Sequence, residues 1–593
     1  MSDDRPELKT LRRGYEEGMK PGWMTTLATL GVLVSAAPAQ TVQSHPSTWD
    51  ARAVEHLYNR AGFGARPSEI EAGVAMGKAA LVESLVTKRV EVEPFFWERI
   101  EIPDPKALRE LPADEQREKQ REFREKDRRQ LLEYTGWWYD RLASGEDPLR
   151  ERMVLFWHGF FTSSVEDVKR NWLLIQQNQL VRDHALGSYA ELLSAMLRDP
   201  AMLTYLDNQV NRKGNPNENL ARELMELFSL GVGNYTEEDV KEAARALTGR
   251  GINRDGEYEL HPRQHDDGKK TILGKSGKFD GDDLVAILLK QEACSKWVSK
   301  RLIAYFEGVA PTPDRVAAYA TFLREHDYQL QPFLKRLFLD PAFYRDEVVG
   351  ARVQGPVDFM VGLSRRLGVR VPPIVLGGGS ALLGQRLFAP PSVKGWEEGE
   401  PWITTATLMQ RGNLAGFVLG VVKVDDVMSG SDLEVSDAPE TPMAPGEPGG
   451  MDDGHPMGGD DAKPPAAKPQ DAKPPAAKPK DGKGKGGGQQ GSQVLKELRR
   501  IEASGWVAAL NFSARMAKAG ARTDAEIADR MVDDLLAIRA PDDTRARMRE
   551  FLAHEREDAK IAEGKLLDAG GESERILRRL AHLVLSLPEA QLE

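Results

Sequence analysis

Apolar residues recur at helical spacing along almost the whole chain, and that periodicity restricts the fold more than any other feature. The stretches "SEIEAGVAMGKAALVESLV", "LLIQQNQLVRDHALGSYAELLSAML" and "AEIADRMVDDLLAIR" place them on one face of a 3.6-residue period. Alternating patterns are scarce, and Val369 to Leu376, "VRVPPIVL", is the best extended candidate. The pattern predicts an all-α fold, a predominantly helical multi-helix array with long irregular loops and little strand. A chain of 593 residues exceeds one ordinary core, so two to three domains, or one elaborated domain, are expected. Asp104 to Leu132 is densely charged and predicts a long exposed helix, docked through Trp137 and Trp138.

Two segments interrupt the helical pattern. Met24 to Ala39, "MTTLATLGVLVSAAPA", reads as an export signal ending in the small-x-small site Ala37-Pro38-Ala39. It is too short to remain as a membrane span, and no cysteine follows to take a lipid anchor. Residues 429–493 are dominated by Gly, Pro, Ala, Lys and Asp, and "DAKPPAAKPQ" is repeated almost unchanged within them. Such a composition cannot bury enough apolar area to offset the entropy of ordering, which predicts a disordered linker insertion. The predicted organisation is therefore a signal at 1–39, a main helical domain at 40–428, the linker, and C-terminal helices at 494–593. The closing stripe Leu580, Leu583, Val584 and Leu587 needs an apolar partner and is expected to pack back on the main domain.

The net charge of −11 and the absence of a basic stripe argue against nucleic acid as a partner. Cys294, the only cysteine, excludes intramolecular disulfides and thiolate zinc sites.

Four stretches carry residue types suited to chemistry. In "NPNENLARELMELFSLGVGNY", Asn215 to Tyr235, Asn215 is placed as an N-cap with Pro216 at the first helical position and Glu218 closing a capping box; Gly231 is a left-handed stop and Thr236 caps a second helix. Glu218, Arg222 and Glu226 form an i, i+4 ladder, with Asn217, Asn219 and Glu223 beside it. That pattern fits either a solvated charged face or a polar cavity in which Glu218, Arg222 and Glu223 divide general acid and base roles. His158, in "DPLRERMVLFWHGFFTSS", lies on a helix apolar nearly all round, as a core histidine or as a site residue. His261, His265, Asp266, Asp267, Asp280, Asp282 and Asp283 crowd a glycine-rich loop whose oxygen ligands would suit a divalent cation, although the spacing is not that of an EF-hand. Lys394, Trp396 and Trp402 sit in "FAPPSVKGWEEGEPWITT", an irregular aromatic loop of the kind that lines binding surfaces.

Taken in order, "HLYNRAGFGARPSEIE", "MVLFWHGFFTSS", "NPNENLARELMELFSLGVGNYTEEDVKEAARALTGRG", "HDDGKKTILGK", "FDGDDLVAILL" and "FAPPSVKGWEEGEPWITTATLMQRGN" resemble a bacterial exported family, domain of unknown function 1800. The match runs from His56 to Asn413 and resumes at "LVLSLPEAQ". The resemblance implies a mostly helical, exported protein and brings no activity with it. The family pattern "FWHxHF" has a second histidine where this chain has Phe160, so a metal site using both histidines is not implied here.

Two classes of function remain open. One is an exported hydrolase acting on an envelope or extracellular polymer through Glu218, Arg222, Glu223 and His158, with Asn217, Asn219, His265, Asp266 and the aromatic loop binding substrate. The other is a non-catalytic envelope binding or assembly protein, with a polymer or protein partner, whose polar motifs are structural. The nucleophile and metalloprotease motifs "GxSxG" and "HExxH" and phosphate-cradling glycine loops are absent.

Overall fold

Proline and small polar residues start most of the helices that shape this protein, as a computed structural model describes it for residues 49–91, 93–101, 104–428 and 487–593. The expected export signal at 1–39, and the expected linker as far as residue 486, lie outside the described residues. Helices make up 63% of the structure and strand only 4%. Ser47–Glu593 form one compact unit.

The helices that position the site are α1 (Ala51–Ala61), α2 (Ala113–Ser144), α3 (Pro148–Phe160) and α4 (Asn171–His184). They are followed by α5 (Asn219–Glu223), α6 (Glu237–Ala246), α7 (Gly281–Leu289) and α8 (Glu292–Glu307). Next come α9 (Pro356–Leu367), α10 (Pro373–Leu382) and α11 (Thr405–Leu419). The chain closes with α12 (Gly487–Ala503), α13 (Asp524–Leu535) and α14 (Gly571–Leu585). Helix α12 begins inside the span that composition assigns to the linker. Two antiparallel hairpins, β1 (Arg250–Ile252) with β2 (Tyr258–Leu260) and β3 (Lys270–Ile272) with β4 (Lys275–Gly277), are the sheets of the described residues.

Helix α3 is the hub. Pro148 opens it, suited to a first turn whose N–H groups lack intrahelical partners, and nearly every side chain to Phe160 is buried. Its aromatic residues interlock: Trp157 stacks on Phe161 at 5.7 Å and on Tyr189 at 5.8 Å between ring centroids. Helix α2 splits as its composition dictates. Its charged first half is exposed, and from Leu131 onward it buries Tyr134, Trp138 and Tyr139. The expected helix from Asp104 is broken by Pro112, which starts α2, so the preceding charged residues form only the short turn Pro105–Arg109.

The stretch "VRVPPIVL" is not a strand. Pro372 and Pro373 preset the backbone of a helix start, and α10 runs on through three glycines. Those glycines let it lie close to its neighbours; a Cβ at Gly379 would come within 2.6 Å of Met360 and one at Gly377 within 3.0 Å of Tyr139.

The closing stripe is covered. Leu580 and Val584 of α14 are buried, His582 Nε2 lies 3.0 Å from the carbonyl oxygen of Gly412 in α11, and Val353 bridges Leu592 antiparallel. Among the described residues no helix is long and apolar enough to cross a membrane.

Candidate functional site

The asparagine-rich opening of "NPNENLARE" is held by its own amides. Asn211 Nδ2 donates to Ala244 O at 2.9 Å, and Asn211 Oδ1 accepts from Asn217 N at 2.9 Å. Asn217 Oδ1 in turn accepts from Asn219 N at 2.9 Å. Helix α5 therefore starts at Asn219, later than the pattern predicts, and Asn215 and Pro216 lie in the preceding loop. Asn217 and Asn219 are used in turn-making, with Asn219 Nδ2 3.5 Å from Asp207.

Arg222 is a clamp between α5 and α6. It donates to Glu218 at 3.0 Å and to both carboxylate oxygens of Glu237, at 2.9 and 2.7 Å. The side chains are 33% exposed at Arg222, 36% at Glu218 and 69% at Glu237, so this ladder stands in solvent. Glu218 and Arg222 do not point into a shared interior cavity.

Glu223 differs. It is half-buried, and burial, then the neighbouring Glu226 carboxylate, raises its pKa; Lys394 and Arg222 oppose the shift. Glu226 accepts from Tyr235 Oη at 3.1 Å. After Glu223 the helix widens to a π-turn at Leu224–Ser229, and Gly231 ends it at φ 79°. Only glycine fits there, because a Cβ would sit 2.7 Å from the Trp297 ring.

Lys394 belongs to the aromatic loop, whose seat on α3 is made by His158. Phe388 N donates to His158 Nε2 at 3.1 Å, and Val165 N donates to Phe388 O at 2.8 Å. Phe388 has φ 64°, an unfavourable conformation for a bulky residue that these two bonds hold in place. Burial lowers the His158 pKa to about 3, so the imidazole is neutral with its proton on Nδ1. Its ring contacts Trp138, Phe388 and Trp396, at centroid distances of 5.2, 4.8 and 5.5 Å. His158 is a buried acceptor that fixes a strained turn, and the reading of it as a catalytic group is corrected on that ground. Farther along, Gly395 at φ 82° brings the loop against α3, where a Cβ would come within 2.4 Å of Gly159 O.

Beyond Gly395 the loop roofs a cavity of about 60 Å³. Trp396, Trp402, Phe156 and Tyr305 line it with Arg301 and Arg352, and Asp358, Glu397 and Glu398 add carboxylates. Arg352 is fully engaged, with Nη2 3.0 Å from Asp358 and Nη1 2.6 Å from Glu593, and its guanidinium lies 4.7 Å over the Tyr305 ring. Asp358, 4% exposed, also accepts from Arg152, which donates to Gly62 O at 2.6 Å and Asn59 O at 2.9 Å. The two arginines hold the Asp358 carboxyl below its usual range against the opposing effect of burial. Arg301 is half-buried, and its partners among the described residues are aromatic faces, Phe160 at 5.8 Å and Trp297 at 6.0 Å. Trp396 Nε1 is buried without a hydrogen-bond partner.

The glycine-rich loop lies apart from these groups and its acids are committed. Asp266 accepts from Arg245 Nε at 2.8 Å and from Gly268 N at 2.9 Å; Arg245 above all lowers its pKa to about 2. His265 Nδ1 donates to Thr248 O at 2.9 Å, Asp267 pairs with Lys213 at 2.6 Å, and His261 Nδ1 lies 3.9 Å from Glu259. Asp280 caps α7 with Asp283 closing the capping box, and Asp282 pairs with Arg250 at 2.8 Å. Among the described residues no three His, Cys, Asp or Glu side chains gather as a metal site, so this loop does not form the cation site its composition suggested.

The structure thus brings His158, Trp396 and Trp402 against α3, sets Lys394 within electrostatic reach of Glu223, and pairs Asp266 with Arg245 and His265 with Thr248 instead. A family model described as "Protein of unknown function (DUF1800)" matches residues 56–592. The chain belongs to that family. No curated protein and no solved structure matches it. In this DUF1800 member Phe160, at the place of the family pattern's second histidine, lies under Arg301 and packs on Phe156 at 5.7 Å. Sequence reasoning missed Arg152, Arg301, Arg352 and Asp358. One signal was available for two of them: Arg152 and Asp358 are charges inside helices whose other faces are apolar, and such charges are buried only when paired.

Proposed function

We propose that this protein is an exported, non-catalytic binding protein of the cell envelope, and that its ligand enters the cavity under Trp396 and Trp402. One observation carries the reading. Glu218, Arg222, His158, His265 and Asp266 are committed to ion pairs or hydrogen bonds, whereas Arg301 in the cavity wall has no carboxylate within ion-pair distance among the described residues. Export is supported by the Met24–Ala39 pattern alone. Retention of the purified protein on washed, insoluble cell-envelope material tests the proposal. Wild type should be retained, and Trp402→Ala, with its fold intact, should not. Equal retention of the two proteins overturns it.

A second reading, hydrolysis of an envelope polymer, is favoured by Glu223. A half-buried carboxyl with a raised pKa beside Lys394 has the character of a general acid. Release of soluble fragments from envelope material by wild type but not Glu223→Gln would select that reading.

A further inference from the structure

We infer that the cavity under Trp396 and Trp402 takes a small carboxylate, of the kind that ends an amide-linked chain in alanine or glycine, with Arg301 as its ion partner. The inference rests on the binding reading above and adds the class of ligand.

Size comes first. A water needs roughly 10–15 Å³ of such volume, so a cavity of about 60 Å³ holds a group of a few heavy atoms and excludes a sugar ring. The pairing of charges then singles out Arg301, since the wall carries Arg301 and Arg352 beside Asp358, Glu397 and Glu398. Arg152 and Arg352 are matched by Asp358 and Glu593. Arg301 has no carboxylate within ion-pair distance among the described residues, and ring faces contact its guanidinium. Guanidinium groups pair with carboxylates through two parallel N–H bonds, a geometry that a ligand can complete here. A ligand that supplies acceptors at this end satisfies Arg301. Phe156 and Trp402 offer apolar wall for a methyl or methylene beside it.

The rim restricts the chain attached to that carboxylate. Glu397 and Glu398 are exposed and also line the cavity, so a chain with many negative charges would be repelled at the mouth. A neutral amide-linked chain passes them without that cost. An end group of this class also occurs on free acylated amino acids, and the same chemistry recognises both sources.

The test is a titration of the full chain labelled with 5-fluorotryptophan, followed by fluorine NMR, with the Trp396 resonance assigned through Trp396→Phe. The probes are N-acetylalanine, N-acetylalaninamide and N-acetyl-dialanine. N-acetylalanine should shift the Trp396 resonance saturably, and the amide should bind about tenfold or more weakly, the scale of losing a charge-assisted pair. Arg301→Gln should weaken N-acetylalanine by the same factor, and Arg301→Lys should recover part of it. Tighter binding of N-acetyl-dialanine than of N-acetylalanine assigns a chain end; equal binding assigns a free acid. Equal binding of acid and amide, indifference to Arg301→Gln in a folded variant, or no saturable shift at tens of millimolar overturns the inference. Envelope retention that depends on Trp402 but not on Arg301 leaves the binding reading standing without its carboxylate. Arg301-dependent binding of N-acetylalanine with retention indifferent to Trp402 does the reverse.

Discussion

Replacing Arg222 by alanine should change stability little, and the reason lies in where its partners stand. Arg222 joins Glu218 and Glu237 through three hydrogen bonds, a geometry that in a dry interior would be costly to break. All three side chains are at least one-third exposed, and Glu237 is mostly so. Exposed ion pairs contribute about 0–1 kcal/mol each because water and salt screen them and two long side chains must be ordered. The expected loss for Arg222→Ala, which removes two such pairs, is therefore about 2 kcal/mol or less. Asp358→Asn supplies the contrast in the same protein. It removes the carboxylate that faces both Arg152 and Arg352 in a buried setting, and breaking a buried pair costs about 3–5 kcal/mol. The assay is urea unfolding followed by tryptophan fluorescence, with each loss read as the slope times the midpoint shift where the slope is unchanged. A loss of about 3 kcal/mol or more for Arg222→Ala, or near-equal losses for the two variants, would refute the assignment of the ladder to solvent.

Three further outcomes follow from the geometry. Gly395→Ala should abolish envelope retention in a folded protein, because its Cβ would strike the carbonyl of Gly159 and lift Trp396 off α3; circular dichroism and the retention assay check both halves. Asp199 is fully buried, and burial raises its carboxyl pKa from an ordinary 3.8 to about 7. The folded chain therefore keeps this proton while the unfolded chain loses it, so its contribution to stability falls as pH rises from about 4 to about 7 and is flat above. Asp199→Asn keeps an acceptor for Met202 N and lacks the titration, so the stability of wild type relative to the variant should fall across that window in unfolding curves; a constant difference would show that Asp199 does not titrate this way. His158→Phe should destabilise the protein by about 1–3 kcal/mol, because Phe388 N–H is left buried without its acceptor, measured by the same unfolding assay.

What the sequence made legible was local. Helical period, the stop at Gly231 and the cap at Thr236 are written within a few residues of where they act, and the structure has all three. The start of α5 is hidden from the pattern because Asn217 accepts from Asn219 N and itself hangs on Asn211, a side-chain hold that competes with helix initiation at Pro216. The stretch "VRVPPIVL" misleads because β-branched residues around two prolines read as extended, while burial against Tyr139 and Met360 rewards a glycine-rich helix. The cavity was the least legible part. Trp396 and Trp402 announce themselves as an aromatic loop, but Arg301 in "SKRLIAYF" looks like any charged helical residue. Only the tertiary fold gives Arg352 its carboxylates and leaves Arg301, among the described residues, without one in ion-pair distance.

Hydrogen exchange of the full chain, free and bound to envelope material, tests most directly whether the aromatic cavity is the ligand site. Slowed exchange is expected at residues 394–403 and along α8 near Arg301, with α5 and α6 unchanged. Protection confined to α5 and α6, with the aromatic loop unaffected, would contradict that assignment and return the site to the charged ladder.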